Sequence, residues 1–155
     1  MAAPKIGSKI KDFELPTNGD GTWSLKNAKG RKLVIYFYPK DMTSGCTRES
    51  QDFRDLHSAF RKAGVDIVGV SRDSVKSHDK FVAKENLPFP LLSDAEEKAC
   101  KLFDVIQEKS LYGKKYLGIE RSTFLLDGNG ILRREWRKVK VTGHAEEVLE
   151  AAKSL

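Results

Sequence analysis

Cysteine and histidine are scarce in this chain: its 155 residues hold two of the first and three of the second. Cys46 and Cys100 stand far apart, which excludes a disulfide scaffold and suits a reducing compartment, the cytoplasm by default. No Cys and His cluster occurs at ligand spacing, so no metal is expected; separately, no other cofactor is expected. Long apolar runs are also missing. No stretch approaches the roughly 18 residues of a membrane span, and the start, Met1-Ala2-Ala3-Pro4-Lys5-Ile6-Gly7, lacks a signal-peptide core. No repeat, linker or low-complexity tract appears. The remaining composition, 39% hydrophobic and 32% charged, is that of a soluble globular protein. One domain over 1–155 is expected, large enough to bury an ordinary core.

What is present centres on Leu33-Val34-Ile35-Tyr36-Phe37-Tyr38-Pro39-Lys40-Asp41-Met42-Thr43-Ser44-Gly45-Cys46. The apolar, β-branched first half predicts a strand buried on both faces. Pro39 cannot donate a ladder hydrogen bond and ends it. A short polar loop and a helix over 47–62 follow, so Cys46 falls where a strand hands over to a helix start. Unpaired N–H groups and the positive dipole end favour an anion there, and such settings convert a thiol into a reactive thiolate. Thr43 sets a hydroxyl three residues before the sulfur. A buried structural thiol is the bland alternative.

The partners that Cys46 lacks narrow its chemistry. A dithiol needs Cys-x-x-Cys, and Glu49 stands at the second position. A cysteine phosphatase loop needs arginine six residues on, where Asp52 stands. His57, His78 and His144 show no local signature of a hydrolase partner. A single activated thiolate without a sequence-evident base survives, and that suits attack on a weak O–O bond.

The rest of the chain predicts an α/β fold. Short strands at 13–16 and 22–25 form an N-terminal hairpin, the first of them at a sheet edge. Further strands are expected at 65–70 and 91–92. Helices are expected over 75–86, capped by Asp73-Ser74, and from Ser93-Asp94 to Phe103. The segment 105–117 is expected to be irregular and Lys-rich around a Tyr112-Gly113 turn. Strands at 122–126 and 131–136 flank a hairpin turn at Asp127-Gly128-Asn129-Gly130, and an amphipathic helix closes the chain. Formal charge is +6. The densest basic stretch, Arg133-Arg134-Glu135-Trp136-Arg137-Lys138-Val139-Lys140, is read as a solvated strand face, with a nucleic-acid-binding module as the rival.

Pro39-x-x-x-Thr43-x-x-Cys46 resembles the active-site motif of the peroxiredoxins. The fuller Tyr36-Phe37-Tyr38-Pro39-Lys40-Asp41-Met42-Thr43 is similar to the bacterioferritin-comigratory-protein, or peroxiredoxin Q, subfamily. So are Ile67-Val68-Gly69-Val70-Ser71-Arg72-Asp73, Tyr112-Gly113-Lys114-Lys115 and Gly118-Ile119-Glu120-Arg121-Ser122-Thr123-Phe124-Leu125, in the same order. The resemblance implies a thioredoxin-like fold, a central mixed sheet flanked by helices. It implies a thiol-dependent peroxidase that reduces hydrogen peroxide and organic hydroperoxides through a Cys46 sulfenic acid. Thr43, Pro39 and Arg121 complete the site, with Arg121 set against the cysteine. Glu49 either orients an arginine or complements the helix dipole.

Two departures from the subfamily stand out. Relatives mostly carry proline where Ser44 stands. Relatives with a resolving cysteine place it at the positions of Gln51 or Val82 here, and neither can form a disulfide. Cys100 lies on the apolar side of a helix and is expected to be a packed core thiol. The expectation is a one-cysteine cycle in a monomer, reduced by thioredoxin, glutaredoxin or glutathione, with no nucleic acid or membrane partner. A two-cysteine cycle through Cys100 is the alternative.

Overall fold

The computed structural model describes residues 3–155. A seven-stranded sheet forms its centre, in the order β2-β1-β5-β4-β3-β8-β9. The strands are β1 (Glu14–Thr17), β2 (Gly21–Ser24), β3 (Lys32–Phe37), β4 (Val65–Ser71), β5 (Leu91–Ser93), β8 (Ser122–Leu126) and β9 (Leu132–Trp136). β3, β4 and β5 run parallel, and the other pairings are antiparallel. The helices are α1 (Ser44–Asp55), α2 (His57–Lys62), α3 (Val75–Glu85), α4 (Lys98–Leu102) and α5 (His144–Lys153). The expected mixed α/β sheet flanked by helices is present.

Alternation along β3 sorts the core into two halves. Val34, Tyr36 and Tyr38 point to one face, where they meet Phe53 of α1, Phe60 of α2, Phe81 of α3 and Val148 of α5. Leu33, Ile35 and Phe37 point to the other, against Phe13, Phe103, Phe124 and α4. A period of two in a strand buried on both sides produces this division. Tyr36 stacks on Phe53 at 4.8 Å. Its register partner on β4 is Gly69, where a Cβ would come within 2.8 Å of the tyrosine ring. The glycine in that strand makes room for the aromatic packed over it.

Several expectations need correction. β1 is not the edge strand, because β5 pairs with it on the far side and β2 takes the edge. The helix after the loop begins at Ser44 rather than at 47, and it breaks at Leu56 into α1 and α2. α4 starts only at Lys98, so Ser93-Asp94 do not cap it; the Asp94 carboxylate instead accepts the Cys100 N–H at 2.8 Å.

The segment expected to be irregular is a hairpin of β6 (Ile106–Leu111) and β7 (Lys114–Ile119), separate from the main sheet. Its turn residues Tyr112 and Gly113 both have positive φ, 51° and 77°, as a two-residue hairpin turn requires. The pattern hid it because most of its side chains meet solvent on either face, so no buried side imposes alternation.

Candidate active site

β3 carries the chain to the site, and the last ladder bond runs from Tyr38 N–H to the Val70 carbonyl. Half-buried Pro39 follows. Thr43 is the residue before α1, and its carbonyl accepts the first helical bond from Thr47 N–H at 2.8 Å. The N–H groups of Ser44, Gly45 and Cys46 precede that bond and have no helical acceptor. Cys46 is therefore the third residue of α1, inside its first turn, and is only 1% exposed.

Arg121, between β7 and β8, reaches across to this turn. One guanidinium nitrogen, Nη2, donates to Cys46 Sγ at 3.3 Å, and Nη1 donates to Glu49 Oε1 at 2.7 Å. Glu49 is buried beneath, 1% exposed, and its second oxygen has no hydrogen-bond partner among the described residues. Burial pushes this carboxyl up to about 7, although the Arg121 charge pulls the other way. Burial also works against the Arg121 charge, but Glu49 and Cys46 more than offset it. The result is a cation held by a carboxylate at one corner of its fork and offered to sulfur at the other.

With α1 starting at Ser44, Glu49 lies beyond the first turn and meets arginine rather than free helical N–H groups. The Thr43 hydroxyl donates to the Lys40 carbonyl at 2.8 Å, which leaves its oxygen lone pairs as acceptors. Pro39, Thr43, Cys46 and Arg121 thus belong to one strand–helix corner and the segment facing it.

In the sequence Gly45 reads only as loop before Cys46. A Cβ there would stand 3.2 Å from Arg121 Nη2, so the glycine leaves the guanidinium its path to sulfur. Its only signal was its place beside the cysteine. On β6, burial and then the Arg121 charge lower the pKa of Lys109, while Cys46 opposes this.

Cys100 belongs to the other half of the core. It is fully buried, and burial together with the adjacent Asp94 carboxylate pushes its thiol up. Among the described residues, no group of three or more His, Cys, Asp or Glu could hold a metal. Arg133, Arg134, Lys138 and Lys140 of the basic stretch are exposed, as a solvated face requires, and three of its arginines are engaged within the fold. Arg133 pairs with Asp127, Arg134 lies over the Trp136 ring, and Arg137 donates to the Phe103 and Asp104 carbonyls.

Residues 6–135 match the family model of the AhpC/TSA family. Peroxiredoxin Bcp of Xanthomonas campestris pv. campestris is 57% identical over 143 residues, covering 92% of this chain and 89% of that protein. A solved structure of Xanthomonas campestris bacterioferritin comigratory protein, described for its alkyl peroxide reduction activity, superposes with a TM-score of 0.88 at 56% identity, covering 92% and 90% of the two chains. Xylella fastidiosa PrxQ superposes with a TM-score of 0.94 at 43% identity, covering 99% and 98%.

Proposed function

This chain belongs to the AhpC/TSA family as a peroxiredoxin, a thiol-dependent peroxidase, and from that premise we propose that Cys46 is its peroxide-reducing nucleophile in a one-cysteine cycle. The observation that carries the reading is the Arg121 fork, with Cys46 sulfur on one tine and buried Glu49 on the other. The cation favours negative charge on the sulfur, and the free N–H groups of the first turn act in the same sense.

The Cys46 thiolate attacks the terminal oxygen of hydrogen peroxide or an organic hydroperoxide. An S–O bond forms as the O–O bond breaks, and the departing oxygen takes a proton to leave as water or alcohol. Negative charge spreads over sulfur and both oxygens in the transition state. Arg121 and the N–H groups of the first turn are fixed donors for that charge. The Thr43 oxygen, its own hydrogen turned toward Lys40, accepts a hydrogen bond from the attacked hydroxyl, which keeps its hydrogen in the sulfenic acid. Pro39 walls the loop entrance.

An external thiol then attacks the sulfenic sulfur, releases water and forms a mixed disulfide, which a second thiol reduces. Thioredoxin, glutaredoxin and glutathione are the candidate reductants. The sheet itself argues against Cys100 as the resolving residue, because the two sulfurs lie in core halves on opposite faces of it. The cycle needs no second copy of the chain, which agrees with the monomer that the subfamily resemblance implies, and it needs a supply of reduced thiol such as the cytoplasm holds. The engagement of Arg133, Arg134 and Arg137 within the fold supports a role without nucleic acid.

Peroxide consumption with each reductant tests the reading. Cys46→Ser is expected to abolish turnover and Cys100→Ser to keep it. Mass spectrometry after one equivalent of peroxide should find Cys46 oxidised without an internal bridge. Turnover surviving in Cys46→Ser overturns the assignment, and a Cys46–Cys100 disulfide as main product overturns the one-cysteine cycle.

A further inference from the structure

Behind the catalytic loop lies a second polar cluster that the reaction scheme does not use. His78, on α3, is completely buried. Its Nε2 lies 2.9 Å from the Leu92 carbonyl, and its Nδ1 lies 2.7 Å from Asp41 Oδ2. A carbonyl can only accept, so Nε2 carries the hydrogen on that side, and a proton is shared between Nδ1 and the carboxylate. Asp41, 4% exposed, receives two more donors: the Tyr38 hydroxyl on Oδ1 at 2.6 Å and the Ser77 hydroxyl on Oδ2 at 2.8 Å. Its backbone N–H donates to Asp73 Oδ2 at 2.8 Å, and Ser71 holds that oxygen in turn at 2.6 Å.

Asp41 sits between Pro39 and Thr43, within the loop that delivers Cys46. The carbonyl of the residue before it, Lys40, receives the Thr43 hydroxyl. The residue after it, Met42, has φ of 62°, a backbone conformation that side chains other than glycine rarely take. Such a loop persists only where its surroundings over-determine it. The four bonds to Asp41 do so, and His78 ties the loop to β5 through its ring, as Asp73 does through the Ser93 hydroxyl on its carbonyl. Both ring nitrogens of this buried histidine are satisfied, as burial demands, and the two partners are β5 on one side and the loop on the other.

We propose that His78 is a positioning residue for the peroxidase reaction: through Asp41 it couples α3 and β5 to the 39–43 loop and so sets where Thr43 meets the peroxide. This rests on the role of Cys46 and Thr43 given above. Misplacement of a positioned group by about 1 Å can cost on the order of 100-fold in rate, whereas alkylation of the sulfur by iodoacetamide needs thiolate and access but not Thr43. The two reactions therefore separate positioning from folding.

The test compares second-order rate constants of Cys46 with hydrogen peroxide and with iodoacetamide in folded protein. His78→Leu is expected to slow the peroxide reaction by roughly 10- to 100-fold and the alkylation by less than about threefold. His78→Asn, which keeps an N–H near the Nδ1 position, should recover the peroxide rate to within about fivefold of wild type. Asp41→Asn should behave like His78→Leu and serves in its place if that variant does not fold. An unchanged peroxide rate, a parallel fall of both reactions, or no recovery in His78→Asn overturns the proposal. Failure of the wild-type sulfur to react with peroxide would instead overturn the reading on which it rests.

Discussion

Cys46 and Cys100 are equally hidden, 1% and 0% exposed, yet they sit in opposite surroundings. The first lies in the half of the core threaded with polar groups: Arg121 with Glu49, Tyr36 with Ser50, Tyr38 with Asp41 and His78, Thr123 with His144. The second lies among Phe13, Phe37, Phe103 and Phe124, with a carboxylate as its polar neighbour. Burial alone opposes a thiolate in both places. The sign of the nearest charge separates them. A guanidinium beside a sulfur stabilises the anion, and a carboxylate beside a sulfur keeps the hydrogen on it. Concealment therefore says little about a cysteine's chemistry until its charged neighbours are named.

Removing the favourable neighbour should have the largest effect. Arg121→Met keeps much of the side-chain bulk but deletes the donor on sulfur. The rate constant for peroxide should fall by about 100- to 1,000-fold, the range for loss of one transition-state donor. Stopped-flow measurement on the folded variant checks this, and a fall below about tenfold would show that the first-turn N–H groups suffice.

A subtler change concerns the carboxyl that holds Arg121. Burial raises Glu49 to about 7. A carboxyl raised in the folded state contributes stability that is complete below its ordinary value near 4.5 and is lost as pH climbs through about 7. Glu49→Gln cannot titrate, so its melting temperature relative to wild type should rise between pH 5 and 8. The same variant should lack an infrared carboxylate band that grows in wild type with a midpoint near 7. A difference in melting temperature that stays flat across this range would mean that Arg121 overrides burial.

Cys100 should show the smallest effect. With native protein, a thiol reagent in the Cys46→Ser background should label nothing until denaturant is added. Cys100→Ala should change stability by about 1 kcal/mol, since it removes one buried sulfur without touching the site. Labelling of native Cys100 would place it within reach of solvent and reopen its role in the cycle.

Parts of this outcome were legible beforehand. The run 33–38 announced a strand buried on both faces because β-branched and aromatic residues in an unbroken apolar run leave few other readings. Ser74 announced α3 and indeed accepts the Ser77 N–H. The hairpin at 106–119 escaped, because strands without a buried face carry no periodic signal. α1 starts three residues earlier than expected, since Ser44-Gly45 resembles loop and only the backbone shows them helical. In sequence His78 is one of three histidines without a local signature, and Gly45 reads as loop. Both matter through contacts with residues distant in the chain.

Local order along the chain was enough to mark Cys46 as a thiol at a strand–helix corner, to lay out most of the elements and to leave Gln51 and Val82 without sulfur. It could not say which face of the sheet each cysteine would occupy, nor that Arg121, 75 residues from Cys46, would divide its guanidinium between that sulfur and Glu49. Those outcomes depend on the pairing of β3 with β8 and on the alternation it imposes, and such long-range register exists only once the chain has folded. Charge placed across a sheet is a property of the assembled molecule, because neighbours in space, unlike neighbours in sequence, are chosen by packing.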